Sequence, residues 1–187
     1  MIKGKAMVAG VLAAVFLLAA ASLAAAAQGQ YRKVTDGKGN MIFSTKRIAL
    51  NQEASVPLKT EFKLGEPIFA RAYFPGPFGA VKQGEEYFVD IWIDGKHAQR
   101  IKYKNPPDPS WDTIQVLIAN TGSDEARADL FSGLSKGGHP VAIYCGKEDF
   151  MKTKAVAKKT NDGVQVSKEQ VYKPVYLSEG KFTLVVP

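Results

Sequence analysis

A single cysteine and two histidines in 187 residues rule out several chemistries at once. Cys145 has no second cysteine to pair with, so no intrachain disulfide forms. A zinc site draws three or four ligands, mostly from His and Cys. His97, His139 and Cys145 are the whole supply, and no His-Glu-x-x-His spacing occurs. No glycine-rich phosphate cradle stands at a strand-to-helix junction, so neither a metal nor a nucleotide cofactor is expected. Charge of one sign is not concentrated either. The 25 Lys and Arg exceed the 18 Asp and Glu by +7, but they form no basic stripe of the kind that follows a nucleic-acid backbone. The mild excess suits contact with an anionic envelope surface instead. Disorder is excluded by a hydrophobic content of 45% against 23% charged.

The N-terminus carries the one long apolar run. Lys3 and Lys5 precede Ala6 to Leu23, which is interrupted only by Gly10 and Ser22, and Ala24 to Ala27 close it with small side chains. This is the pattern of a cleavable secretion signal covering residues 1–27, and it predicts a periplasmic or secreted protein. An uncleaved anchor is the alternative, since the run approaches the roughly 20 residues that span a bilayer. Removing Lys3 and Lys5 would lower the formal charge of +7 by two. In an oxidising compartment a lone thiol is safest buried. Val141, Ile143 and Cys145 share one face of a predicted strand, which predicts that Cys145 packs as a small hydrophobe.

The remaining residues alternate with the period of β-structure. Ile68, Ala70, Ala72 and Phe74 lie opposite Phe69, Arg71 and Tyr73. Tyr87, Val89, Ile91 and Ile93 form a second inward set, with Phe88, Asp90, Trp92 and Asp94 turned outward. Asp94-Gly95 is a tight-turn dipeptide and predicts a hairpin returning through His97 to Lys104. Ile114, Val116 and Ile118 make a third segment, and Phe182, Leu184 and Val186 the last. Ser123 and the acidic pair after it predict a short helix over 124–135, stopped by Gly137 and Gly138. Residues 28–50 read as an N-terminal hairpin or extended segment, and 51–187 as the main domain. Lys147 to Lys173 reads as an extra lysine-rich hairpin, turning at Thr160-Asn-Asp-Gly163. Strands at this spacing, with one helix among them, predict an all-β fold: an immunoglobulin-like β-sandwich.

Catalytic patterns fail on context. Gly133-Leu-Ser-Lys-Gly137 matches Gly-x-Ser-x-Gly, but a nucleophile elbow needs a strand before the serine and a helix after it. The order here is reversed. Glu85-Glu86 and Glu148-Asp149 are adjacent pairs, which point to opposite faces of extended chain and do not share acid–base work. What remains is recognition. Phe78 lies in Pro75-Gly-Pro-Phe-Gly79, Trp111 ends Asn105-Pro-Pro-Asp-Pro-Ser-Trp111, and His139 follows two glycines at the start of a strand. Phe78, Trp111 and His139 are therefore the candidate binding residues. They predict an exported, non-enzymatic module that binds a protein, peptide or glycan through loops or a sheet edge. The alternatives are a structural subunit of an envelope assembly and a hydrolase of cell-wall or lipid substrates. Two carboxylates in a deep pocket would favour the hydrolase.

Overall fold

A computed structural model describes residues 30–80, 86–103, 107–119, 129–160 and 163–187. The secretion signal predicted over residues 1–27, most of the helix predicted over 124–135 and the tip of the lysine-rich hairpin lie outside the described residues. No helix among them is long and apolar enough to cross a membrane.

The chain is all-β. Among the described residues nine strands run as β1 (Val34–Thr35), β2 (Lys38–Ser44), β3 (Glu61–Lys63), β4 (Ile68–Tyr73), β5 (Tyr87–Ile93), β6 (Lys96–Tyr103), β7 (Thr113–Ala119), β8 (Gly137–Thr160) and β9 (Gly163–Val186). Together they make one curled, mixed sheet in the order β6-β5-β8-β9-β2-β4-β7, with β1 on β2 and β3 on β9. Two hairpins follow from their turn residues. Asp36-Gly37 and Asp94-Gly95 all have positive φ, between 51° and 74°. That is the backbone of a two-residue type I′ turn, whose twist matches the strands it joins.

The sheet turns its corner at β2. Gly39 and Asn40 pair in parallel with Ser178 and Glu179 of β9, whereas Met41 to Ser44 pair antiparallel with Ala72 to Phe69 of β4. β3 runs parallel to Thr183–Val185 further along β9. Two glycines make the corner possible. A Cβ on Gly39 would sit 1.9 Å from the Tyr73 carbonyl oxygen, and one on Gly180 would sit 2.6 Å from the Met41 Cβ and the Phe43 ring. β2 thus lies within the sheet, between β9 and β4.

The predicted inward faces form the core. Val89, Ile91, Val141, Ile143, Cys145, Phe182 and Leu184 meet Met41, Phe43, Ala70, Ala72, Val116 and Ile118 in one cluster. Phe43 and Phe62 both pack edge-on against Phe182, at 5.1 and 5.3 Å between ring centres. The predicted helix is not found where residues are described. Asp129–Phe131 is a single 3-10 turn, and Gly133 has a φ of 79°, which ends it well before Ser135. Leu130, Phe131 and Leu134 reach the core from this turn and the residues after it.

The lysine-rich hairpin expected over Lys147 to Lys173 is present, as the outer part of a longer β8–β9 hairpin. β8 and β9 are each 24 residues long. β5 accompanies β8 only as far as the pair Tyr87 and Lys147. Beyond it the Glu148 N–H still donates to the Glu86 carbonyl at 2.8 Å, and from Asp149 to Thr160 β8 pairs with β9 alone. At about 3.3 Å per residue this two-stranded ribbon projects roughly 40 Å.

Candidate functional site

The three candidate binding residues do not converge. Phe78 is only 2% exposed. Its backbone N–H donates to the Trp111 carbonyl at 2.7 Å, and its ring turns inward against Phe74 and Tyr87, both 5.3 Å away. The aromatic patch expected from Phe78 and Trp111 together is therefore absent, although their loops do lie side by side. Trp111 alone faces solvent, at 55% exposure. His139 sits with Asp94, at the opposite end of β5 from the Tyr87 against which Phe78 packs.

His139 is a clasp. Its Nδ1 lies 2.8 Å from the Asp94 carboxylate in the β5–β6 turn, and its Nε2 lies 2.8 Å from the Ser135 carbonyl. With both ring nitrogens engaged, none is left to carry a proton to or from a substrate. The Ser135 carbonyl and the Asp94 carboxylate raise its pKa above the ordinary imidazole value. The clasp is therefore at full strength below that ordinary value and is lost as pH rises through the raised one. Ser135, the serine of the Gly-x-Ser-x-Gly match, contributes its carbonyl to this clasp.

Cys145 is fully buried on the inward face of β8, and burial pushes its thiol up to about 12. Its Sγ lies 3.6 Å from the Tyr87 hydroxyl. A thiol held neutral and sealed from solvent is neither nucleophile nor redox sensor. The folded protein is expected to leave Cys145 unmodified by a thiol reagent at pH 8 and to react fully once denatured by guanidinium. Rapid labelling of the native protein would contradict the burial.

Around Trp111 lies an open cleft of about 420 Å³, lined by Arg47, Leu50, Arg71, Ser110, Trp111, Asp112, Thr113, Ile114 and Gln115. β4 and β7 supply its floor, since Arg71 pairs with Gln115 and Tyr73 with Thr113. Arg71 is only 7% exposed. Its Nε and Nη2 donate to the Ile48 carbonyl at 2.8 and 2.6 Å, and its Nη1 lies 3.4 Å from the Thr113 hydroxyl. Burial draws its pKa below the ordinary guanidinium value. No carboxylate among the described residues forms an ion pair with it. Glu53 attracts it at longer range but accepts from the Tyr73 hydroxyl at 2.7 Å. The one carboxylate lining the cleft, Asp112, is held by Arg32 at 2.6 Å. The carboxylate pair that a hydrolase would use is not in this cleft.

No protein-family model, curated protein or solved structure matches this chain. The residues themselves must therefore carry the functional argument.

A second cluster covers the outer face of β5, and sequence reasoning missed it. Asp90 alternates with the core residues and was expected to face solvent, yet it is 1% exposed. Arg100 from β6 grips it with Nε and Nη2, both at 2.7 Å. The Tyr176 hydroxyl donates to it at 2.8 Å, and His97 Nε2 stands 3.3 Å away. Arg100 also spreads over the Phe88 ring at 3.9 Å and reaches Glu148 at 3.1 Å. Phe88, Tyr176, Tyr144 and Trp92 run beside it as a row of ring contacts. An acid between Phe88 and Trp92 was the available signal, because large aromatic residues on both sides of an outward position suggest a covered face. Every oxygen of Asp90 is engaged, so the cluster fastens β5, β6 and β9 together and leaves no free base. Among the described residues no group of three or more His, Cys, Asp or Glu is placed to hold a metal ion.

Most described side chains of the projecting ribbon are exposed. Phe150, Met151 and Val166 are exposed on it. Between Phe150 and Lys173 it carries six lysines and only two acids, Asp162 and Glu169. Among the described residues, the outer backbone edges of both its strands pair with nothing.

Proposed function

We propose that the chain is an exported, non-enzymatic binding module of the cell envelope or secreted fraction, built on an immunoglobulin-like sandwich, and that it engages its partner along the β8–β9 ribbon. The ribbon carries this reading. A two-stranded hairpin is marginally stable by itself in water, and unpaired strand edges invite pairing with another chain. Some 40 Å of such edge gains nothing from the core. It has the geometry for β-augmentation, in which an extended segment adds as a further strand: main-chain hydrogen bonds supply affinity and alternate side chains supply selectivity. Six lysines against two acids favour a partner segment or envelope surface that is acidic. They also keep two copies of the ribbon from pairing with each other.

The same edge favours a second reading, a structural subunit of an envelope assembly that docks by strand addition. Stoichiometric copurification in a defined complex from envelope membranes would distinguish it from a reversible binder.

The test removes the ribbon alone. Asp149 and Lys173 face each other across it, so replacing residues 150–172 with Asn-Gly closes a short hairpin on a natural register. The shortened protein is expected to melt within a few degrees of the full chain and to lose its association with envelope fractions. Undiminished association would overturn the proposal.

A further inference from the structure

The geometry points to a second recognition site, independent of the ribbon: the cleft between Arg47, Arg71 and Trp111 binds a small anionic sugar. Three features set the ligand class. The first is cationic. Arg71 is buried in the floor without an ion-pair partner among the described residues, and Arg47 stands exposed at the rim, also unpaired among them. The Arg47 guanidinium offers a forked donor that matches the planar or tetrahedral oxygens of a carboxylate or phosphate, and Arg71, whose Nε and Nη2 are held by the Ile48 carbonyl, adds its positive charge from the floor. The cleft's own acid cannot neutralise them, because Arg32 holds Asp112.

The second feature is apolar. The Trp111 indole is 55% exposed, with Leu50 exposed beside it. A flat ring in water next to cationic donors suits a ligand with one apolar ring face and one charged end. The third is the spread of neutral polar groups. Ser110, Thr113 and Gln115 line the same cleft; they donate to Asp108 and to the Ala72 and Ala70 carbonyls, and their oxygens can still accept from ligand hydroxyls. An aliphatic acid brings no hydroxyl to these oxygens. A neutral sugar leaves the Arg47 charge unanswered. A volume of about 420 Å³ falls at the lower end of small-ligand sites, so the occupant is one or two sugar rings and not a polymer segment.

The two tryptophans of the chain, Trp92 and Trp111, make the site self-reporting. In a Trp92→Phe background, Trp111 fluorescence is followed while digalacturonate, glucose 6-phosphate, lactose or inorganic phosphate is added. Saturable change with one of the two anionic sugars is expected. The one that acts separates a carboxylate from a phosphate as the charged group. Arg47→Ala should weaken that binding about tenfold or more, the usual worth of a charge-assisted bond. Arg71→Lys should weaken it too, and its melting temperature shows whether the Ile48 contact has survived. Arg47 holds nothing else, so its variant decides. Equal response to lactose, equal response to phosphate alone, unchanged affinity in Arg47→Ala, or no response to any probe would each overturn the proposal.

Discussion

Asp90→Ala is expected to cost about 3–5 kcal/mol, the range found when one member of a buried ion pair is removed. For a domain of this size that lowers the melting temperature by on the order of 10 °C. The loss is large because of what stays behind. Arg100 would keep its guanidinium against Phe88 with only Glu148 to answer it, and the Tyr176 hydroxyl would lose its acceptor. Asp90→Asn should cost less, since the amide still accepts from Tyr176 while the charge is lost. The pH dependence has a definite sign. Burial acts to raise the Asp90 pKa, but the hydrogen bonds from Arg100, Tyr176 and His97 outweigh it, and the net shift is downward. A carboxylate depressed in the folded state contributes its stability above the unfolded value of about 3.9 and loses it as pH falls through the folded value. The stability gap between wild type and Asp90→Asn, measured by urea denaturation, should therefore be full at neutral pH and narrow in acid. A gap that does not change with pH would contradict the ion-pair account.

Gly39→Ala should be as damaging, for a different reason. The added Cβ would stand 1.9 Å from the Tyr73 carbonyl oxygen and 3.1 Å from the Phe74 Cα. Both obstacles are backbone, so no side-chain rotation relieves the overlap and β2 must part from β4. Overpacking of a flexible core commonly costs 1–3 kcal/mol. A collision with main chain at the corner of the sheet should exceed about 3 kcal/mol on that scale or prevent folding. Gly76→Ala is the matched control, because an added Cβ there meets nothing within 4 Å. It should stay within about 0.5 kcal/mol of wild type, as surface changes do. Soluble yield and urea midpoints of the two variants, side by side, check the corner.

Period two made one face of this sheet legible and hid the other. Val89, Ile91 and Ile93 were readable as core, and Asp94-Gly95 as the turn after them. Phe88 and Asp90 were not readable as buried, because their cover is remote in sequence: Tyr176 lies 86 residues beyond Asp90. Phe78 misled for a related reason. Proline and glycine marked its loop correctly, but the hydrogen bond to Trp111 that turns its ring inward belongs to another loop. The bounds of the ribbon were legible, but its continuity with the strands of the sheet was obscured by irregularities at Cys145/Gly146 and Phe150/Lys152, where the pairing register shifts and alternation changes phase. The arginine–tryptophan cleft was visible only in part. Trp111 stood out by its type and its loop, whereas Arg71 alternates with core residues and reads as solvent-facing until the carbonyl of Ile48 covers it.

Amide hydrogen exchange along the ribbon, measured with and without a solubilised envelope fraction, tests partner engagement most directly. Free in solution, residues 150–160 and 163–172 should exchange fast while β5 and the adjoining half of β8 stay protected. With the envelope fraction present, slowing confined to alternate amides of one ribbon edge is the predicted result. Protection appearing only on β4 and β7, with the ribbon exchanging as fast as before, would contradict it.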